Sequence, residues 1–535
     1  MNLFQQVNSM FAFLVPIMNW LWNFPTNIKG YSSLPLIGGI PLMIFLIFGG
    51  GVYFTITTAG AQFRYIKKGI NLIMSRKKTD VGINSYMSFM ISTASRVGAG
   101  NIAGVTGAIS VGGPGALFWM WLAAIAGMAI AFAESVLAQI YKERRGKEYV
   151  GGFTFYSVII GGGRKYIGQI MAALFLLYAF ACHPTQTYQI FSGIGIVVQG
   201  ITGTAPNLAT MPYFLLALAM IILTAYPLFK GITAIGDVCN LLVPTMSLCY
   251  TAITVTLIIL NLDRIPYFFS SIFAGAFSPE AIFGGAMGVA IAQGVKRALN
   301  SNDAGKGTLT IPAAVVETKH PVDQGFVQIV GVLFDTVICT MTGFIVVAGH
   351  VWTTNADWAA IKGNKIAVLA DSVAQLAPDA IRGIVVVIFG IAYILFSYSS
   401  LIGLMGFTPI ATANLLKNKL QLNIVKGLAI FFFTPLGIIS LMAGQSLDNM
   451  WAFSDVATAL LCFANLYFIF KARKTINACF ADYEKNPTDR FISKNIGIES
   501  EIWTTEAAKI YRAENATEFP GFSSNIEGRT GEVVK

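Results

Sequence analysis

The chain has 535 residues, of which 55% are hydrophobic and only 12% charged, with 40 Phe and 53 Gly. Soluble domains carry about 25% charged residues, so this composition excludes one and indicates a protein that crosses a lipid bilayer many times. The net charge of +10 does not indicate nucleic acid, because the basic residues cluster in short loops between apolar runs, the pattern of cytoplasmic loops.

Met10 to Phe24 is apolar but short, contains Pro16 and carries Trp20 and Trp22, which suits a helix lying in the membrane interface. A span needs about 20 apolar residues. On that measure eleven are predicted: 36–58, 84–110, 114–141, 167–198, 211–229, 236–260, 280–299, 325–350, 383–406, 424–443 and 449–470. We set the basic cluster Arg64, Lys67, Lys68, Arg76, Lys77 and Lys78 on the cytoplasmic side. Every later loop on that side then bears Lys or Arg: Lys142 to Lys165, Lys230, Lys296 to Lys319, Lys417 to Lys426 and Lys471 to Lys474. The loops 261–279 and 351–382 on the other side balance their basic residues with acids. The amino end is therefore expected outside and the carboxyl end in the cytoplasm, in a multi-pass protein of the cell membrane.

Two spans look broken. Residues 93–115 hold Arg96, Gly98, Gly100, Asn101 and Gly104 within an apolar stretch. Glycine weakens a helix by about 1 kcal/mol relative to alanine, and an arginine at bilayer depth costs at least ~2.5 kcal/mol unless it faces a cavity or a partner. Broken backbone is tolerated in a membrane only where it is buried in protein or lines a cavity, and there its free N–H and C=O groups can hold a ligand. The seventh span carries Gly284, Gly285, Gly288 and Gly294. With the first span set aside, these two helices lead two groups of five spans of opposite orientation, the pattern of transporters with an inverted repeat. The alternative is that the glycines only allow close helix packing.

The expected organisation is thus an all-α polytopic membrane protein: an interfacial segment 1–35, an extra helix 36–58, five-helix repeats over 84–260 and 280–470, and a cytoplasmic tail 471–535 with a short helix near Glu501 to Arg512. The six cysteines have no CxxC spacing, and His183, His320 and His350 lie far apart, so neither disulfides nor a metal centre is expected. No nucleophile–base pair appears either, which disfavours an enzyme, and a channel would lack the inverted repeat.

The run Ser95-Arg-Val-Gly-Ala-Gly-Asn-Ile-Ala-Gly104, then Gly112-Gly-Pro-Gly-Ala-Leu-Phe-Trp-Met-Trp121 and Ala133-Glu-Ser-Val-Leu-Ala-Gln-Ile-Tyr141, resembles the alanine/glycine:cation symporter family, the sodium:alanine symporters. So do Gly294-Val-Lys-Arg297, Ser301-Asn-Asp-Ala-Gly305, His320 to Gln328 and Gly331 to Thr336. The likeness extends over most of 36–470. It implies a LeuT-type fold with two discontinuous helices, and sodium-coupled symport of a small neutral amino acid (alanine or glycine class) by alternating access. The partners would be that amino acid, sodium and the lipid bilayer, with no nucleic acid. Sodium would be the coupling ion, and no cofactor is implied.

A zwitterion needs two opposite partial charges, which helix N-terminal amides and unwound carbonyls can supply. The resemblance assigns the carboxylate to the amides of Ala99 and Gly100, with Asn101 beside them. Ile291, Ala292 and Gly294 would supply carbonyls and one wall, with Gln186 and Leu404 also lining the pocket. For sodium it indicates carbonyls of Ala94 and Val97 and hydroxyls of Ser399 and Ser400, although serines in apolar helices often bond to the preceding turn. Glu134 pairs with Lys142 or a neighbour, or titrates. Asp335 bridges helices or belongs to a proton path, and Arg96 is a gate or an ion-pair partner.

The chain also departs from the family pattern. Leu404 to Thr408 stand where an aromatic run beginning with tryptophan is usual. Tyr188 and Gln189 replace a small polar pair, and Asn300, Asp303 and Lys306 replace Phe, Glu and Met. A missing tryptophan removes ~150–250 Å² of wall, which predicts a roomier pocket unless Tyr188 fills it. The alternatives to the leading reading are proton coupling through Glu134 or Asp335, and a larger neutral substrate such as glutamine.

Overall fold

The computed structural model describes residues 12–34, 40–76, 79, 81–146, 148–204, 206–207, 210–277, 286–349, 365–442 and 448–514. Nearly all regular structure is helical, since backbone polar groups in hydrocarbon must be satisfied within their own segment. Helix α1 (Leu14–Asn23) precedes α2 (Leu42–Thr57) and the amphipathic α3 (Ile66–Met74).

The first group of five begins with an interrupted helix. Its first half, α4 (Ser85–Arg96), starts where the Asn84 side chain accepts from Met87 N (2.9 Å), and ends where Val97 turns extended (φ −86°, ψ 91°). A π-helical turn, Gly100–Gly104, leads into the second half, α5 (Val105–Gly112). Then come α6 (Gly115–Ile140), a two-stranded hairpin of β1 (Glu143–Arg145) and β2 (Glu148–Val150), the short α7 (Phe153–Ile160) and the long α8 (Lys165–Thr202). Helices α9 (Met211–Lys230) and α10 (Ile232–Leu260) complete the group. Helix α11 (Ile265–Phe277) connects to the second group.

That group repeats the order. Helix α12 (Ala286–Asn302) is interrupted before α13 (Thr310–Ala314) and followed by α14 (Pro321–Ala348). A short helix, α15 (Lys365–Leu376), again precedes a long one, α16 (Arg382–Gly406). The last two are α17 (Lys419–Met442), which contains a π-helical turn at Ala429–Phe433, and α18 (Asp448–Lys471). Eight of these helices are long and apolar enough to cross a membrane. With α2 and the two interrupted helices, they make the eleven apolar segments expected from the sequence.

The groups interlock: α14 lies along α6, and α8 along α16 and α18. Beyond α18, α19 (Arg473–Lys485) and α20 (Thr505–Glu514) belong to a tail that docks on the helices. Trp503 is fully buried and donates Nε1–H to Gln139 O (2.8 Å), and Phe491 N donates to Lys319 O (2.9 Å). At the other end, Trp22 of α1 is buried against α18, its Nε1–H bonded to Asp455 O (3.0 Å).

The structure adds one helix and corrects one expectation. The loop 261–279 carries α11, whose Gly275 meets the backbone of Gly115, a contact only two glycines allow. The second interruption lies after α12, at 303–309, and not among Gly288 and Gly294; Gly284 and Gly285 lie outside the described residues. There Asp303 (φ +57°), Gly305 and Gly307 (both φ +83°) take left-handed backbone angles, which end a helix. Gly294 sits mid-helix against α6, where a Cβ would fall 2.7 Å from Trp119 Cβ. Close packing is what that glycine provides.

Candidate functional site

The two interruptions face each other, and a buried carboxylate holds each one. At the first, Asn101 Oδ1 accepts from Gly98 N (3.0 Å), and the Asn101 Nδ2 group donates to Asp335. Ser301 of α12 also donates to Asp335, at 3.0 and 2.8 Å from its two oxygens. Asp335 thus ties the first break to α12. At the second, Glu134 accepts from Gly305 N (3.3 Å) and Gly307 N (3.2 Å), amides released by the break. Asn465 Nδ2 bridges Glu134 Oε2 and Gly305 O, both at 2.9 Å, and Tyr156 OH bonds to Asn465. Of the two partners expected for Glu134, Lys142 or a neighbour, the neighbours hold it, and Lys142 Nζ donates to Val316 O (2.6 Å).

Between the breaks lies a cavity of ≈ 50 Å³. One water needs about 10–15 Å³, so there is room for a small solute. Gly100, Gln186, Ser400 and Leu404 line it, as do Ser95, Arg96 and Gly98. Gln186 Oε1 has no hydrogen-bond partner among the described residues. Arg96 lies with its guanidinium against Gly331 and donates Nη2–H to Gln328 Oε1 (2.7 Å). Ala99 and Asn101 flank Gly100 and are fully buried.

Ala94 and Ser400 meet beside this cavity. Ser400 Oγ donates to Ala94 O (3.1 Å) and lies 3.4 Å from Ser95 O, and a Cβ on Gly98 would collide with it. Ser399 Oγ lies 3.5 Å from Ala94 O and 3.0 Å from Phe396 O of its own preceding turn. Val97, buried next to Gly98, is where the backbone leaves the helix.

The second set of expected residues lies elsewhere. Ala292 lines a different cavity of ≈ 90 Å³ beneath α1, together with Trp22 and Lys296. Gly294 packs on α6, and Ile291 is only partly buried against the core. The break supplies its wall about ten residues later, through Asn300, Asp303 and Lys306. Tyr188 is not among the lining residues, and Gln189 accepts from Tyr393 OH (2.6 Å). The aromatic wall comes from Tyr178 and Trp451, so an indole is present although residue 404 is leucine.

Sequence reasoning missed Tyr178, Cys182, Trp451, Ser454 and Thr458. Trp451, Ser454 and Thr458 recur at i, i+3, i+7, as do Tyr178, Cys182 and Thr185 at i, i+4, i+7, the spacing of one helix face. That stripe of polar and aromatic residues in apolar spans was the available signal.

Residues 27–495 match the Sodium:alanine symporter family. The putative sodium/proton-dependent alanine carrier protein YrbD of Bacillus subtilis is 32% identical, over 87% of this chain and 95% of that protein. The probable sodium/glutamine symporter GlnT of the same organism is 31% identical over 83% and 88%. The sodium/alanine symporter AgcS of Methanococcus maripaludis is 30% identical over 80% and 90%. With two interrupted helices enclosing a polar cavity and a family match along nearly all its length, this chain belongs to the sodium:alanine symporter family, whose members are secondary transporters of amino acids and not enzymes.

Proposed function

We propose that this protein is a sodium-coupled symporter of a small neutral amino acid, working by alternating access, with its amino end outside the cell and its carboxyl end in the cytoplasm. The observation that carries the reading is the cavity between the two interruptions, with the Ala94–Ser400 cluster at its edge. The amides of Ala99 and Gly100 open the second half of the first broken helix, and amides there lack intrahelical acceptors, so they receive the substrate carboxylate. The oxygens of Ala94, Val97, Ser399 and Ser400 hold sodium as co-transported cargo, since hard oxygen ligands suit such an ion. Asn101, Gln186 and Leu404 shape the pocket. In place of Ile291, Ala292 and Gly294, the wall at the second break is assigned to Asn300, Asp303 and Lys306. One co-transported charge gains ~2.3 kcal/mol per 100 mV, roughly fifty-fold accumulation before any sodium gradient is added.

The names of the relatives support alanine first and a larger substrate such as glutamine second. The test is uptake of labelled alanine, glycine and glutamine into vesicles at fixed voltage, with and without sodium. Alanine uptake that collapses without sodium is expected. Undiminished uptake in sodium-free buffer would transfer the coupling to protons, and glutamine outcompeting alanine would enlarge the substrate.

A further inference from the structure

Lys306 is an ammonium inside the wall of the transport cavity. It sits between Gly305 and Gly307, in the unwound stretch, with its side chain only 1% exposed. Three oxygens surround Nζ: Asp303 Oδ1 at 2.7 Å, Tyr178 OH at 3.3 Å and Asn300 O at 3.4 Å. A carboxylate, a phenol and a backbone carbonyl are the oxygen donors that a monovalent metal cation would also accept.

Asp303 reinforces the point. It is 2% exposed, holds a left-handed backbone angle and lines the cavity, with Oδ1 facing the ammonium. Strained backbone in a non-glycine residue persists where a site depends on the side chain it positions. A buried ion pair gives little net stability over apolar residues of the same shape, whereas removing one partner leaves an uncompensated charge.

We propose that the Lys306 ammonium is a built-in cation: it fills an oxygen site beside the cavity and thereby sets how many mobile cations accompany each substrate. The proposal rests on the cation-coupled transport reading above. Removing the ammonium leaves the Asp303 carboxylate buried and unbalanced, and the cavity then recruits a second sodium or a proton in its place. The other titratable groups around Lys306 and Asp303 are Arg96, Glu134, Asp335, Tyr178, Cys182 and Cys462. A new dependence is assigned to Asp303 by the double variant below, which lacks that carboxylate and keeps all of these groups.

The experiment is alanine uptake by reconstituted protein at fixed voltage, titrated with sodium and repeated across pH, for wild type, Lys306→Met, Asp303→Asn and the double variant. Wild type is read first. Sodium-independent uptake overturns the coupling reading itself, before any variant is considered. In Lys306→Met the Hill slope for sodium is expected to rise by about one, or uptake gains an acid stimulation absent from wild type, as mass action requires of an added ligand. The double variant has neither charge and returns to the wild-type slope. Active Lys306→Met with wild-type sodium and pH dependence overturns the proposal, as does a double variant that behaves like the single one. If Lys306→Met does not reach the membrane, Asp303→Asn decides. Its unbalanced ammonium repels sodium and raises half-saturating sodium about tenfold, and an unchanged value overturns the proposal.

Discussion

At the residue scale, two buried acids bracket the breaks. Glu134 collects the amides of Gly305 and Gly307, and Asp335 holds Asn101 and Ser301. Glu134→Gln replaces one acceptor by an NH₂ group facing a freed amide. An unsatisfied buried group costs about 1–3 kcal/mol, so this variant is expected to melt earlier in detergent, and an unchanged melting temperature would remove the bracket role. The two serines also separate by geometry. Ser399 is nearest a carbonyl of its own helix, whereas Ser400 donates across to Ala94. A single hydrogen bond is worth about 0.5–1.5 kcal/mol net. Ser400→Ala should therefore raise half-saturating sodium roughly two- to tenfold, more than Ser399→Ala does, as read from sodium titrations of uptake.

At the element scale, the second interrupted helix shows how glycine serves two purposes in one sequence. Gly294 lets α12 lie against α6, and Gly305 and Gly307 end the helix through left-handed angles. Gly294→Ala adds a methyl group to a filled contact, and such overpacking costs about 1–3 kcal/mol. Lower thermal stability with unaltered substrate preference is the expected outcome, measured by melting and by competition uptake. A shift in preference would return Gly294 to the pocket. The aromatic wall follows the same logic of elements: α18 brings Trp451 to the cavity that Leu404 also lines.

At the scale of the whole molecule, the carboxyl-terminal segment is part of the fold. His320, at the start of α14, lies between the rings of Tyr483 and Phe491, with its Nε2 3.4 Å from Asp482 Oδ2. Burial raises the Asp482 pKa, but the hydrogen bonds from His320 and Asn495 outweigh it and hold the carboxyl below its ordinary value. A depressed acid stabilises the folded form above the unfolded carboxylate range, near 4, and this contribution disappears as pH falls through the lower folded value. Tail docking should thus be insensitive to this group from about pH 5 upward and weaken only in stronger acid, which tryptophan fluorescence across a pH series would follow. Trp503→Ala removes a fully buried indole, a loss of about 3–5 kcal/mol. It is expected to expose residues 486–514 to protease while the helices remain protected, and an intact tail would count against the docking contact.

The sequence by itself determined the class, the number of apolar segments, the two groups of five and the position of the first interruption. Apolar length, loop charge and the cluster Arg96 to Gly104 are local properties, and the membrane enforces them segment by segment. It also singled out Asn300, Asp303 and Lys306 as unusual. Only the tertiary structure decided where the second helix breaks, because a glycine that packs and a glycine that unwinds are the same letter. Their difference lies in the backbone angle and in what stands opposite, Trp119 for Gly294 and Glu134 for Gly305. The partners of Glu134 and Asp335, the contribution of Trp451 and the docking of Trp503 were hidden for the same reason. Each joins residues far apart in the chain, and a pairing across helices leaves no trace in the spacing of either partner.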